Sequence, residues 1–194
     1  MDVFVGRISS SGFDSGDRIV IGDWTKSPMG SFTNIMWAKP NGARILLSPS
    51  EKHAEYVSSL YEFEEVHVVP IQVKRGKRTI LVEAGDLIVE MKWKRGFYLP
   101  IRRPLWFIST VEQSFAKLFF GTKTHGKTKN GLKEWYCIQS LAKISYSSAE
   151  KSGMNFGDSA RFETTACFGF SDPPKRPSSV QVRSIIENPD QRGV

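Results

Sequence analysis

Apolar and polar residues alternate with period two along much of the chain, the pattern of strands that bury one face. Over 87–94, Leu87, Val89, Met91 and Trp93 fall on one side and Glu90, Lys92 and Lys94 on the other. The same period recurs at 162–170, through Phe162, Thr164, Ala166, Phe168 and Phe170, and at 180–186, through Val180, Val182 and Ile186. Further strands are predicted at 17–24, 31–38, 42–47, 66–74, 78–83 and 135–147. Turn signals separate them: Pro28-Met29-Gly30, Pro40-Asn41-Gly42, Arg75-Gly76-Lys77 and Ala84-Gly85-Asp86. About nine strands on short turns predict a mainly β (α+β) protein, an antiparallel barrel or sandwich.

Two stretches break the period. Ser48-Pro49-Ser50-Glu51 reads as a helix start, with Ser48 as cap, Pro49 in the first turn and Glu51 completing a capping box. Ala54, Val57, Leu60 and Tyr61 then supply an apolar stripe, predicting a helix over about 49–60. A second, amphipathic helix is predicted over about 104–119, where Leu105, Ile108, Val111, Phe115 and Leu118 recur at three- and four-residue steps. A single domain over 1–188 is expected, with 189–194 as a flexible tail.

At 194 residues and 40% hydrophobic side chains, the chain is long enough to bury a core without disulfide or metal staples. The first residues carry acids and no signal-like apolar run, and no window approaches the length of a membrane span, which predicts a cytoplasmic location. Cys137 and Cys167 lack metal-site spacing and read as two buried reduced thiols on neighbouring strands, with a disulfide as the alternative in an oxidising compartment. No metal and no cofactor are expected.

The formal net charge of +7 is unevenly spread. Residues 1–72 carry six bases and nine acids, residues 134–194 seven of each, and residues 73–133 fourteen bases against four acids. If 66–74, 78–83 and 87–94 form a meander, Lys74, Arg75, Lys77, Arg78, Lys92, Lys94 and Arg95 converge at one end of a sheet, with Arg102 and Arg103 following. Trp93, Phe97, Tyr98 and Trp106 lie among them. Such a region suits an anionic partner, either nucleic acid, an anionic lipid surface or a phosphorylated small molecule. The plainer alternative is a set of solvated hairpin tips.

Residues 121–128, GTKTHGKT, match the phosphate-binding loop pattern through Gly121, Gly126, Lys127 and Thr128. A working loop joins a buried strand to the start of a helix, whose free amides and dipole hold the phosphates. Here a helical pattern precedes the motif and a β pattern follows it, so nucleotide binding is not expected. The three histidines, His53, His67 and His125, have no metal-ligand spacing, and the serines at 9–11 and 145–148 form no nucleophile elbow. The reading is a non-enzymatic binding module. Its ligand is either a small apolar or amphipathic molecule inside a barrel or an anionic partner at the basic end. An enzyme using His67 or a rim lysine is the alternative.

Two resemblances accompany this reading. The segments 15–32 (SGDRIVIGDWTKSPMGSF) and 36–57, with GLKEWYCIQSL and FGFSDPPKRPSSVQVRS, resemble an uncharacterised actinobacterial protein family of comparable length. That family has no assigned activity, so it implies no functional residue. Gly22-Asp23-Trp24 resembles the G-x-W signature of the lipocalins. The resemblance implies a closed barrel with an apolar interior, Trp24 closing one end and Arg183 of the last strand packing over it. A helix at 49–60 departs from the lipocalin strand order.

Overall fold

The structure is a computed structural model that describes residues 1–98, 125–162, 168–169 and 173–187. The first strand, β1 (Asp2–Phe13), is followed by β2 (Arg18–Lys26), β3 (Phe32–Ala38) and β4 (Arg44–Ser48). The helix α1 (Glu51–Leu60) leads to β5 (Glu65–Val68), β6 (Ile71–Gly76), β7 (Thr79–Ala84), β8 (Leu87–Trp93) and the short β9 (Phe97–Tyr98). Then come β10 (His125–Lys127), the long β11 (Lys133–Lys151), two short strands, β12 (Met154–Asn155) and β13 (Ser159–Ala160), and β14 (Ser178–Ile186). Ten strands form one continuous path, β5-β4-β3-β2-β1-β14-β11-β8-β7-β6. Every neighbouring pair is antiparallel except β4–β5.

The sheet curls into a half-barrel. Its concave face brings Ile19, Ile21, Ile35, Trp37, Ile45 and Leu47 of β2–β4 against Ile80, Val82, Leu87, Val89 and Met91 of β7–β8 in one buried cluster. β11 makes the corner: its first half pairs with β14 and its second half with β8, and register shifts at 138/140 and 144/146 mark the bends. On the convex face, Ala54, Val57 and Leu60 of α1 are buried. Val57 and Leu60 cluster with Phe4, Phe32 and Leu46. β1 therefore has a covered layer on both sides.

Several boundaries differ from the sequence reading for physical reasons. β1 lacks the period-two pattern because a strand buried on both faces does not alternate, and because Ser9, Ser10 and Ser11 are all buried despite being polar. The predicted strand 66–74 is two strands broken at Pro70, which has no N–H to give to a ladder. β5 runs parallel to β4, and β6 then crosses to pair with β7. Ser48 does not cap α1; it ends β4, paired with Val68. The cap position is Ser50, whose hydroxyl bonds His53 Nδ1 at 2.7 Å and makes no bond to a helix amide, so the expected capping box is absent.

At the predicted strand 162–170, the described residues Phe162, Phe168 and Gly169 are not in a strand. Phe162 and Phe168 are buried, their ring centres 3.7 and 5.9 Å from the Arg18 guanidinium. The helix predicted at 104–119 and the tail 189–194 lie outside the described residues. No helix among the described residues is long and apolar enough to cross a membrane.

Candidate functional site

Strand register lines up a polar row across the concave face. Thr33 pairs with Asp23, Asp23 with Arg7, Arg7 with Gln181, Gln181 with Ser140, and Ser140 with Tyr98, so six strands each contribute one side chain to the same face. One step along β3, β2, β1 and β14 lie Ile35, Ile21, Ser9 and Ser179. One step the other way, Arg183 pairs with Val5 and Cys137, which places Arg183 diagonal to Arg7 on the concave face. The row thus carries polar chemistry along the border of the apolar core.

Arg7 is the centre of this arrangement. Its Nη1 donates to Ser179 Oγ at 3.1 Å, Ser179 Oγ shares a 2.8 Å hydrogen bond with Ser9 Oγ, and the guanidinium lies 4.8 Å from the centre of the Trp93 ring. Among the described residues no carboxylate oxygen comes within ion-pair distance of it. Burial pushes the Arg7 guanidinium below its usual pKa, against the opposing pull of Tyr98 and Asp23. Arg183 likewise has no ion-pair partner among the described residues.

Asp23, 6% exposed, spends its charge across the half-barrel. Arg75 reaches over from β6 and donates to both of its oxygens, Nη2 to Oδ1 at 2.6 Å and Nε to Oδ2 at 2.9 Å. The Thr33 hydroxyl donates to Oδ1 at 2.7 Å. These hydrogen bonds to Asp23 hold the Arg75 guanidinium above its usual pKa. The strap fixes β6 against β2 and β3 and leaves Arg7 as the cation that Asp23 does not satisfy.

The residues singled out in the sequence are distributed differently. The meander does bring the turn of β6–β7 to the end of β8: Gly76 pairs with Thr79, Thr79 with Lys92, and Trp93 N–H donates to Arg78 O at 3.0 Å. Several of the charges at this end are matched: Arg75 by Asp23, Lys74 by Glu83 at 3.4 Å and Lys92 by Glu90 at 3.0 Å. Lys77, Arg78, Lys94 and Arg95 have no ion-pair partner among the described residues. Arg102 and Arg103 lie outside the described residues. Lys127 and Lys129 sit near the start of β11, whereas Lys92 approaches Tyr146 near its far end, so they do not continue the same basic region.

Trp24 and Arg183 are not brought together. Trp24 shares a cross-strand row with Gly6 and Val182 on the convex side, one residue out of phase with Arg183. The Gly22-Asp23-Trp24 segment has its own local logic. Trp24 Nε1 donates to Asn34 Oδ1 at 3.3 Å, and a Cβ on Gly22 would stand 2.7 Å from that oxygen and 2.9 Å from that nitrogen.

Gly126 and Lys127 belong to β10, which pairs antiparallel with β11; Gly121 lies outside the described residues. The Thr128 hydroxyl is used within its own turn, donating to Asn130 Oδ1 at 2.6 Å and to Leu132 O at 3.1 Å. A strand follows, with no helix to orient a phosphate. His67 is exposed on the edge strand β5, its Nε2 3.0 Å from Glu65 Oε2. Glu62 and Glu64 hold Arg44, and the hydrogen bonds from Arg44 depress the Glu64 carboxyl to about 2. No group of metal-binding side chains occurs among the described residues. Cys137 is buried; Cys167 lies outside the described residues.

Fold and site together define a half-barrel β protein with a polar row, Arg7 among it, on its concave face. No protein-family model matches the chain, and no curated protein matches it by sequence. Among solved structures, acetoacetate decarboxylase from Legionella pneumophila subsp. pneumophila str. Philadelphia 1 is similar over 95% of this chain and 84% of that chain, at 12% identity and a TM-score of 0.42. At that degree of likeness neither a residue role nor an activity passes to this chain.

Proposed function

We propose that the concave face binds a small carboxylate-bearing amphiphile, with Arg7 as the principal anchor. The observation that carries this reading is the state of Arg7: a partly desolvated guanidinium, held by one neutral hydroxyl and one indole face, with no carboxylate of the described protein to pair with. A guanidinium offers two parallel N–H groups that match a carboxylate. Arg183 lies diagonal to Arg7, and Gln181, beside Arg7 in the same row, supplies a neutral donor to the same headgroup. Val5 and Trp93, both partly exposed, receive the hydrocarbon part. A singly charged headgroup suits the row better than a multiply charged phosphate, because Asp23 stands next to Arg7.

Titration of the intact protein with octanoate and with octanol, followed calorimetrically, tests this reading. The expected result is saturable octanoate binding, much weaker octanol binding, and affinity that rises with chain length in a carboxylate series. Equal affinity for acid and alcohol would show that the charge plays no part.

A further inference from the structure

The loop between β8 and β9 combines two features that soluble surfaces seldom pair. Phe97 is 77% exposed and Tyr98 65% exposed, although both pair with β11, at Leu141 and Ser140. Immediately before them stand Lys94 and Arg95, and the register of β6–β7–β8 brings Lys77 and Arg78 to the same end. All four cations are exposed, and none has an ion-pair partner among the described residues. The backbone of the loop is fixed, since Lys94 N–H donates to Lys143 O at 2.9 Å.

We propose that this end of the half-barrel docks on an anionic phospholipid bilayer, with Phe97 entering the headgroup boundary and Lys77, Arg78, Lys94 and Arg95 facing the lipid charges. Charge complementarity selects the occupant: unmatched cations around an exposed aromatic are the makeup of an interfacial anchor. A single-stranded nucleic acid asks for something else, several aromatic platforms in series on one face. Here Phe97 and Tyr98 are consecutive in a strand and point to opposite faces. Phe97 has no polar handle for a base edge. Tyr98 ends the concave row that contains Arg7, three strands away, so a bilayer at this end lies on the same row as the proposed ligand site. The docking surface goes beyond the carboxylate reading and stands without it.

Co-sedimentation with vesicles tests the surface. The full chain is mixed with vesicles of pure phosphatidylcholine and of phosphatidylcholine carrying about one-third phosphatidylserine, at low and moderate salt. Binding is expected only to the anionic vesicles, and it weakens as salt rises. Each charge removed from the rim lowers partitioning about fivefold, so the Lys94→Gln/Arg95→Gln double variant binds about 25-fold more weakly. Phe97→Ser weakens binding at constant charge. The charge-matched control is Lys127→Gln/Lys129→Gln at the other end of β11, which leaves binding within about twofold of the unaltered protein.

No binding to anionic vesicles at low salt overturns the proposal. So does an equal loss in the control variant, which would trace binding to net charge alone. Tighter binding to a single-stranded oligonucleotide than to vesicles, lost in the Lys94/Arg95 variant, also overturns it in favour of a nucleic-acid surface. Octanoate titration reads Arg7 independently, so either proposal fails without the other.

Discussion

Asp23 and Arg7 face each other across β1–β2, yet the acid gives its charge to Arg75 and the base keeps its own. Exchanging Asp23 for Asn removes a charge-assisted fork whose arginine is half exposed, so the loss of stability is about 1–2 kcal/mol in urea unfolding. The same change takes a negative charge away from the headgroup site, so octanoate binding tightens by up to about fivefold. Gly6 sets the approach of these strands: a Cβ there would stand 2.2 Å from Asp23 O and 2.9 Å from the Trp24 ring. Gly6→Ala costs about 1–3 kcal/mol, measured by the unfolding midpoint. At this scale Asp23, Arg75 and Arg183 were visible in the sequence, but in other roles. Arg7 carried one overlooked signal, a lone charge in phase with Val3 and Val5 on a strand that the serine run disguised. Its partners are joined only by register, which no local pattern reveals.

Helix α1 ends on a buried carboxyl that belongs to another element. Tyr61, the residue that closes the helix, donates to Glu134 of β11 at 2.9 Å, Ser184 Oγ of β14 donates to the same carboxyl at 2.7 Å, and Tyr136 hydrogen-bonds Tyr61 at 2.7 Å. Burial raises the Glu134 carboxyl to about 7, against the hydrogen bonds from Ser184, Tyr61 and Tyr136. The unfolded chain gives up that proton at the ordinary 4.5, so between the two values the folded protein binds more protons than the unfolded one. This contribution is full below about 4.5, falls as pH rises and is level above about 7, a loss of at most about 3 kcal/mol. Glu134→Gln flattens that slope in unfolding curves taken across the range. The strands β2, β3, β7, β8 and β14 were legible because each buries one face or a simple run. β1 was not, and neither was the break at Pro70, where a continuous β pattern conceals a change of partner from β4 to β7.

The half-barrel as a whole is held by one core to which both arms of the sheet contribute. Ile21 and Ile35 on one arm meet Val82 and Leu87 on the other, all fully buried. Neither arm covers its own concave face. Leu87→Ala therefore costs about 2–5 kcal/mol, and the loss is shared. Hydrogen exchange should show amides of β2–β3 and of β7–β8 reaching the same lowered opening free energy, whereas two independent arms would leave β2–β3 protected. Composition and alternation predicted a mainly β fold with short turns, and the curl that closes its concave face comes from the bends of β11. That curl carries the polar row across six strands and sets Arg7 at the border of core and solvent.

The central claim is that Arg7 anchors an anionic headgroup. It is tested most directly by octanoate affinity in Arg7→Ala beside the unaltered protein, with circular dichroism confirming the fold. Removal of a charged hydrogen-bond pair predicts a loss of about 10- to 150-fold, a much smaller change in octanol affinity, and partial recovery in Arg7→Lys. Octanoate binding that is unchanged in Arg7→Ala would contradict the account.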